Sequence, residues 1–171
     1  MRRRDAAIAA AAVLCACGRP PAPQTGSGVA HVHISITGGG DTVGFRIPVR
    51  ARRCADNHGF VLDGALHGNG LLVWLRDGAG PPDGGNYPLL SRGDSAAPRG
   101  AIAAVRYIVG TVAHGLSVDS GTASLTREQP PYAVHLKGNG VELAIPGRRS
   151  VEITADPVPL EPDTVNCVVQ L

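Results

Sequence analysis

His31-Val32-His33-Ile34-Ser35-Ile36-Thr37, then Gly38-Gly39-Gly40-Asp41, then Thr42-Val43-Gly44-Phe45-Arg46-Ile47-Pro48-Val49, is the stretch that decides the fold. Val32, Ile34 and Ile36 point one way, and His31, His33 and Ser35 the other. Side chains alternate across a strand, so a period of two marks a strand with one buried face. The glycine run turns the chain. Val43, Phe45, Ile47 and Val49 then repeat the pattern against Thr42, Gly44, Arg46 and Pro48. Pro48 lacks a ladder donor, which predicts an edge or a bulge there.

The same pattern recurs outward along the chain. Strands are predicted over 60–66, 71–76, 102–109 and 116–125, the last interrupted near Ser120-Gly121. Lys137-Gly138-Asn139-Gly140 between apolar runs at 132–136 and 141–145 predicts a tight hairpin. Strands at 151–155 and 165–171 complete the series. No window has a sustained helical period, and the Ala-rich 100–105 segment continues into Tyr107 and Val109 as strand. Eight to ten short strands separated by Gly, Asn, Asp and Pro predict an all-β fold, an antiparallel β-sandwich or barrel-like domain. The stretches 77–86 and 91–100 read as its longest irregular connections.

Ahead of this domain lies a different kind of sequence. Arg2, Arg3 and Arg4 precede an uncharged apolar run over 6–14, which matches the ~7–15 residues of a signal-peptide core. It falls short of the ~20 residues that span a bilayer as a helix. The run ends in Leu14-Cys15-Ala16-Cys17, which resembles the lipobox of bacterial lipoproteins. That resemblance implies cleavage before Cys17 and acylation of its thiol, and often of its new amine as well. Several acyl chains give a stable anchor, each buried methylene contributing about 0.8 kcal/mol. In the same family Gly18, in place of Asp, favours the outer membrane. The sequence thus divides into a leader (1–16), a lipidated Cys17 with a Pro/Gly/Ser-rich tether (17–28), and one β domain (29–171).

The leader also explains the charge. The chain has 16 basic and 14 acidic residues, and without the first five residues it has 13 of each. A mature chain with no net charge lacks the electrostatic footprint of a nucleic-acid binder, so no nucleic-acid partner is expected. Of four cysteines, Cys15 leaves with the leader and Cys17 carries lipid. Cys54 and Cys167 remain in an oxidising compartment and are expected to pair, with free thiols or a metal pair as the alternative.

Few residues suggest chemistry. His31 and His33 lie about 7 Å apart on one strand face, within reach of one metal ion if further ligands converge. His58, His67, His114 and His135 are scattered. Gly115-Leu116-Ser117-Val118-Asp119 lacks the last glycine of a nucleophile elbow. Asp77, Asp83 and Asn86 do not form a calcium-loop pattern. Glu128, Glu142 and Glu152 have no spacing that selects a catalytic pair. Arg92-Gly93-Asp94 reads as loop, and Arg50, Arg52 and Arg53 as a solvated strand end or a headgroup contact. Trp74 reads as core, while an exposed Trp74 or Tyr87 would suit a sugar or partner surface.

In plan, the chain is similar to small β-rich envelope lipoproteins of the mycobacterial 19 kDa antigen type. The shared features are the lipobox, the tether, the β domain, and an early and a terminal cysteine. The expectation is a membrane-anchored, non-enzymatic structural or interaction module whose assigned partner is the lipid bilayer, with no cofactor. A metal- or small-ligand-binding lipoprotein using His31 and His33 is the alternative, and an envelope hydrolase the third reading.

Overall fold

A computed structural model describes residues 30–94, 97–126, 130–143 and 146–167. The leader and tether read from residues 1–28, with Cys17, lie outside them. The described strands are β1 Ala30–Gly38, β2 Asp41–Cys54, β3 Gly59–Leu66, β4 Asn69–Asp77, β5 Gly85–Pro88, β6 Arg99–Val109, β7 Val112–Leu125, β8 Tyr132–Glu142, β9 Arg148–Val158 and β10 Leu160–Val165. Their pairing runs β1-β9-β8-β7-β6-β4-β3-β2, and β1 also pairs with β2. The sheet therefore closes into an antiparallel barrel of eight strands. Closure removes the unpaired edges that an open sheet exposes.

The alternation read from the sequence sets which way each strand faces. Val32, Ile34, Ile36, Ile47, Val49 and Val73 point into the barrel and are almost fully buried. An eight-stranded barrel is just wide enough for side chains to fill it. The outward positions of β1, β8 and β9 carry His31, His33, Ser35, His135, Lys137, Glu152 and Thr154. This apolar-in, polar-out order is the reverse of a membrane-spanning barrel. Pro48 falls on β2 before its ladder with β3 begins at Arg50, in keeping with the expected edge position.

Three features differ from the sequence expectations. Lys137-Gly138-Asn139-Gly140 is no turn, because β8 runs straight through it. Gly138 and Gly140 face inward, and a Cβ on either would run into a β7 carbonyl, of Ser120 and Ser117 respectively. These glycines admit close approach of β7, whose register shifts between Val118 and Ser120. The second difference is β5, which starts within the end of the connection expected to be irregular over 77–86. It pairs with β7 where β6 has diverged, and Leu89 bridges to Ala101 of β6. Third, β10 over 160–165 was not expected; of the strand expected at 165–171, residues 168–171 lie outside the described residues. β10 runs parallel to β2 on the edge that β1 leaves free.

Trp74 also departs from the barrel core. It faces outward and joins Leu72 and Val165 over a small second cluster of Cys54, Val61 and Cys167. Cys54 and Cys167 are bonded there, with Cα atoms 5.3 Å apart. The bridge fastens the last described residues to the outside of the barrel, next to the end of β2.

Candidate functional site

The barrel has two unlike ends. At the entry end β1 begins, and the disulfide and the connections β2–β3, β4–β6, β7–β8 and β9–β10 lie there. At the hairpin end lie the turns β1–β2, β3–β4, β6–β7 and β8–β9. Each interior ends in a polar network built mainly from positions that continue the inward series of their strands.

At the hairpin end the centre is Glu142, whose side chain is 1% exposed. Its Oε1 accepts from the Tyr107 hydroxyl at 3.2 Å and from His114 Nδ1. Its Oε2 accepts from Arg149 Nε at 2.9 Å. An ionised carboxylate only accepts, so the His114 proton facing it sits on Nδ1. Burial alone would raise the Glu142 pKa, but the bonds from His114, Arg149 and Tyr107 outweigh it and hold it below the usual carboxylate value. Burial, with Glu142 beside it, pushes the Tyr107 hydroxyl up. Tyr107 and His114 stack with ring centres 4.9 Å apart.

Arg149 also donates to the Gly38 carbonyl. Gly39 has φ +65°, and a Cβ on it would strike the Arg149 guanidinium. The glycine turn thus both reverses the chain and admits the arginine. A cavity of about 70 Å³ opens beside Tyr107, His114 and Arg149. With three donors already on its two oxygens, Glu142 is poorly placed to act as a base. The arrangement is a rigid polar floor.

Around that floor stand Leu66, Val109, Val112, Val141 and Leu143, the large hydrophobic residues exposed among those described. They belong to three of the four hairpins at this end. Single exposed apolar residues are ordinary, but here all five gather at one end of the molecule.

At the entry end Arg99 bonds to the buried Asp77 and reaches Asp83 at 3.2 Å. Its guanidinium lies over the Tyr87 ring at 4.3 Å. The Tyr87 hydroxyl donates to the Asp83 carbonyl at 2.7 Å. Burial pushes its pKa up to about 12, although Arg99 pulls the other way. Tyr87 is fully buried, which removes it as an exposed sugar or partner platform.

The remaining sequence candidates are dispersed. His31 and His33 project from the outer face of β1, and among the described residues no group of three or more His, Cys, Asp or Glu could hold a metal ion. Ser117 lies mid-strand on the outer wall, and Asp119 is held by Arg148. Arg50 and Arg52 grip Asp63. Glu152 meets His135 at 3.0 Å, and Glu128 lies outside the described residues. The Glu142 network was not selected from sequence. Its signal was present: Tyr107, His114, Glu142 and Arg149 occupy inward positions of β6, β7, β8 and β9, where apolar residues are the rule. No family model, curated protein or solved structure matches the chain.

Proposed function

We propose that the chain is a lipid-anchored, non-enzymatic interaction module of the cell envelope, held through Cys17 and presenting its hairpin end to a partner protein. One observation carries this reading. The exposed apolar side chains gather at the barrel end opposite the start of β1, where a tether from Cys17 would enter. The anchored end then faces the membrane, and the apolar rim faces away from it. The saturated Glu142 network supports the reading by making that end a stiff platform, and pre-organised surfaces lose less on binding.

Photo-crosslinking in intact cells tests it. A benzophenone amino acid replaces Val112 on the rim or Asp56 in the β2–β3 connection of the full-length protein. The expected result is a discrete protein adduct from position 112 and none from position 56. Adducts from position 56 alone, or from neither, would contradict it. Incorporation of a palmitate analogue, lost in Cys17→Ala, checks the anchor.

A further inference from the structure

We propose that the outer wall of β4, β6 and β7 is a binding site for a single hydrocarbon chain with a carboxylate head, a ligand of the fatty-acid class. This site meets the hairpin rim at Leu143, which belongs to both, but its argument does not depend on the rim's role. An open depression of about 660 Å³ lies on this wall, within the ~300–1,000 Å³ of small-molecule sites. Its floor is made by residues too small to fill it, Gly70, Ala104 and Gly115, and its sides by Leu72, Ile102 and Leu143. The outer faces of β1, β8 and β9 are polar, so the apolar lining here is local.

Two features choose the occupant. The floor strand β6 is bonded to β4 on one side, over Arg99–Arg106 and Gly70–Asp77, and to β7 on the other. Its backbone groups are used, so it offers a peptide no strand edge. A peptide lying there would leave its own N–H and C=O groups facing hydrocarbon, at a cost of about 1–3 kcal/mol for each one unpaired. A hydrocarbon chain has no such groups.

Charge sets the other end of the ligand. Arg92 and Arg106 line the depression, both exposed, and neither has a carboxylate partner among the described residues. The carboxylates flanking the wall are already engaged, Asp63 by Arg50 and Arg52, and Asp119 by Arg148. Asp94, close to Arg92 in sequence, accepts from the Ala97 amide. The surplus is positive, and a guanidinium pairs well with a carboxylate.

The test adds a diazirine-bearing palmitate to isolated membranes holding the full-length protein, after synthesis, so that Cys17 does not incorporate it. Light-induced adducts are then mapped by mass spectrometry. They are expected on β4, β6 and β7 around Leu72, Ile102 and Ala104. Ala104→Trp, which fills the depression, should abolish them. Arg92→Glu with Arg106→Glu should reduce them about fivefold or more, two exposed ion pairs having been reversed. A diazirine alkylamine of equal length should label the double variant better than the original. Adducts elsewhere, or adducts that persist in both variants, would overturn the site. So would an absence of adducts together with a dimer that Ala104→Trp dissociates in sedimentation, because the wall would then belong to a second copy.

Discussion

The two ends of the barrel use the same parts and bury them differently. Each has an arginine, a tyrosine and a buried carboxylate at inward positions, and the entry end adds the exposed Asp83 of the β4–β5 connection. At the entry end two carboxylates, Asp77 and Asp83, share Arg99, whose side chain remains 37% exposed. At the hairpin end one carboxylate, Glu142, is out of solvent and takes Arg149, His114 and Tyr107 together. Partly solvated pairs contribute little, whereas breaking a buried pair leaves an uncompensated charge. The entry end instead draws on other fastenings. Phe60 and Tyr132 stack at 5.3 Å within it, and the disulfide closes beside it. One end is held covalently and by aromatic packing, and the other by a single polar centre.

That contrast orders the expected effects of substitution. The largest belongs to the entry end: Cys54→Ser with Cys167→Ser opens a loop of 113 residues. The loss should be about 4–5 kcal/mol in chemical denaturation, as chain entropy gives for loops of this size. Next comes Glu142→Ala, which strands Arg149 and should cost about 3 kcal/mol. Asp77→Ala should cost less, about 1–2 kcal/mol, because Arg99 keeps Asp83 and solvent. An Asp77 variant less stable than the Glu142 variant would break the comparison.

The smallest effects separate the ends by pH. Glu142 holds its proton less tightly when folded, so its stabilisation is complete above the ordinary carboxylate range and is lost as pH falls through that range and below. Tyr87 behaves in the opposite sense. Its pKa rises from 10.0 to about 12 on folding, so stability is kept below pH 10 and lost between the two values. Thermal melts across pH should show Glu142→Gln flattening the acid limb and, to a lesser degree, the alkaline limb through Tyr107 beside it. Tyr87→Phe should flatten the alkaline limb alone, at a baseline cost of about 1 kcal/mol for its hydroxyl bond. An acid limb that responds to Tyr87→Phe would mean that the ends are coupled.

Much of this architecture was legible in the sequence, for a reason visible in β1 and β2. Their inward residues are mostly β-branched or aromatic and their outward residues mostly polar, so period two survives. Legibility failed where a glycine served packing: Gly138 and Gly140 read as a turn because glycine is enriched in turns, yet here they admit the β7 backbone. Gly85-Asn86-Tyr87-Pro88 was unreadable as β5, being four residues of mostly turn-forming type. The disulfide was reached from cysteine counting, because few partners remain once the leader is set aside. The hairpin-end network was missed because its members are far apart in sequence, and only barrel closure brings them to one end.

In the proposed arrangement the entry end faces the membrane and the hairpin end faces away. Spin labels at Asp56 and at Val112 of the full-length, lipidated protein, on vesicles carrying a nickel-chelating headgroup, measure this directly. The expected result is stronger relaxation of the label at position 56 by the membrane-bound nickel. Equal relaxation at both positions, or stronger relaxation at position 112, would contradict it.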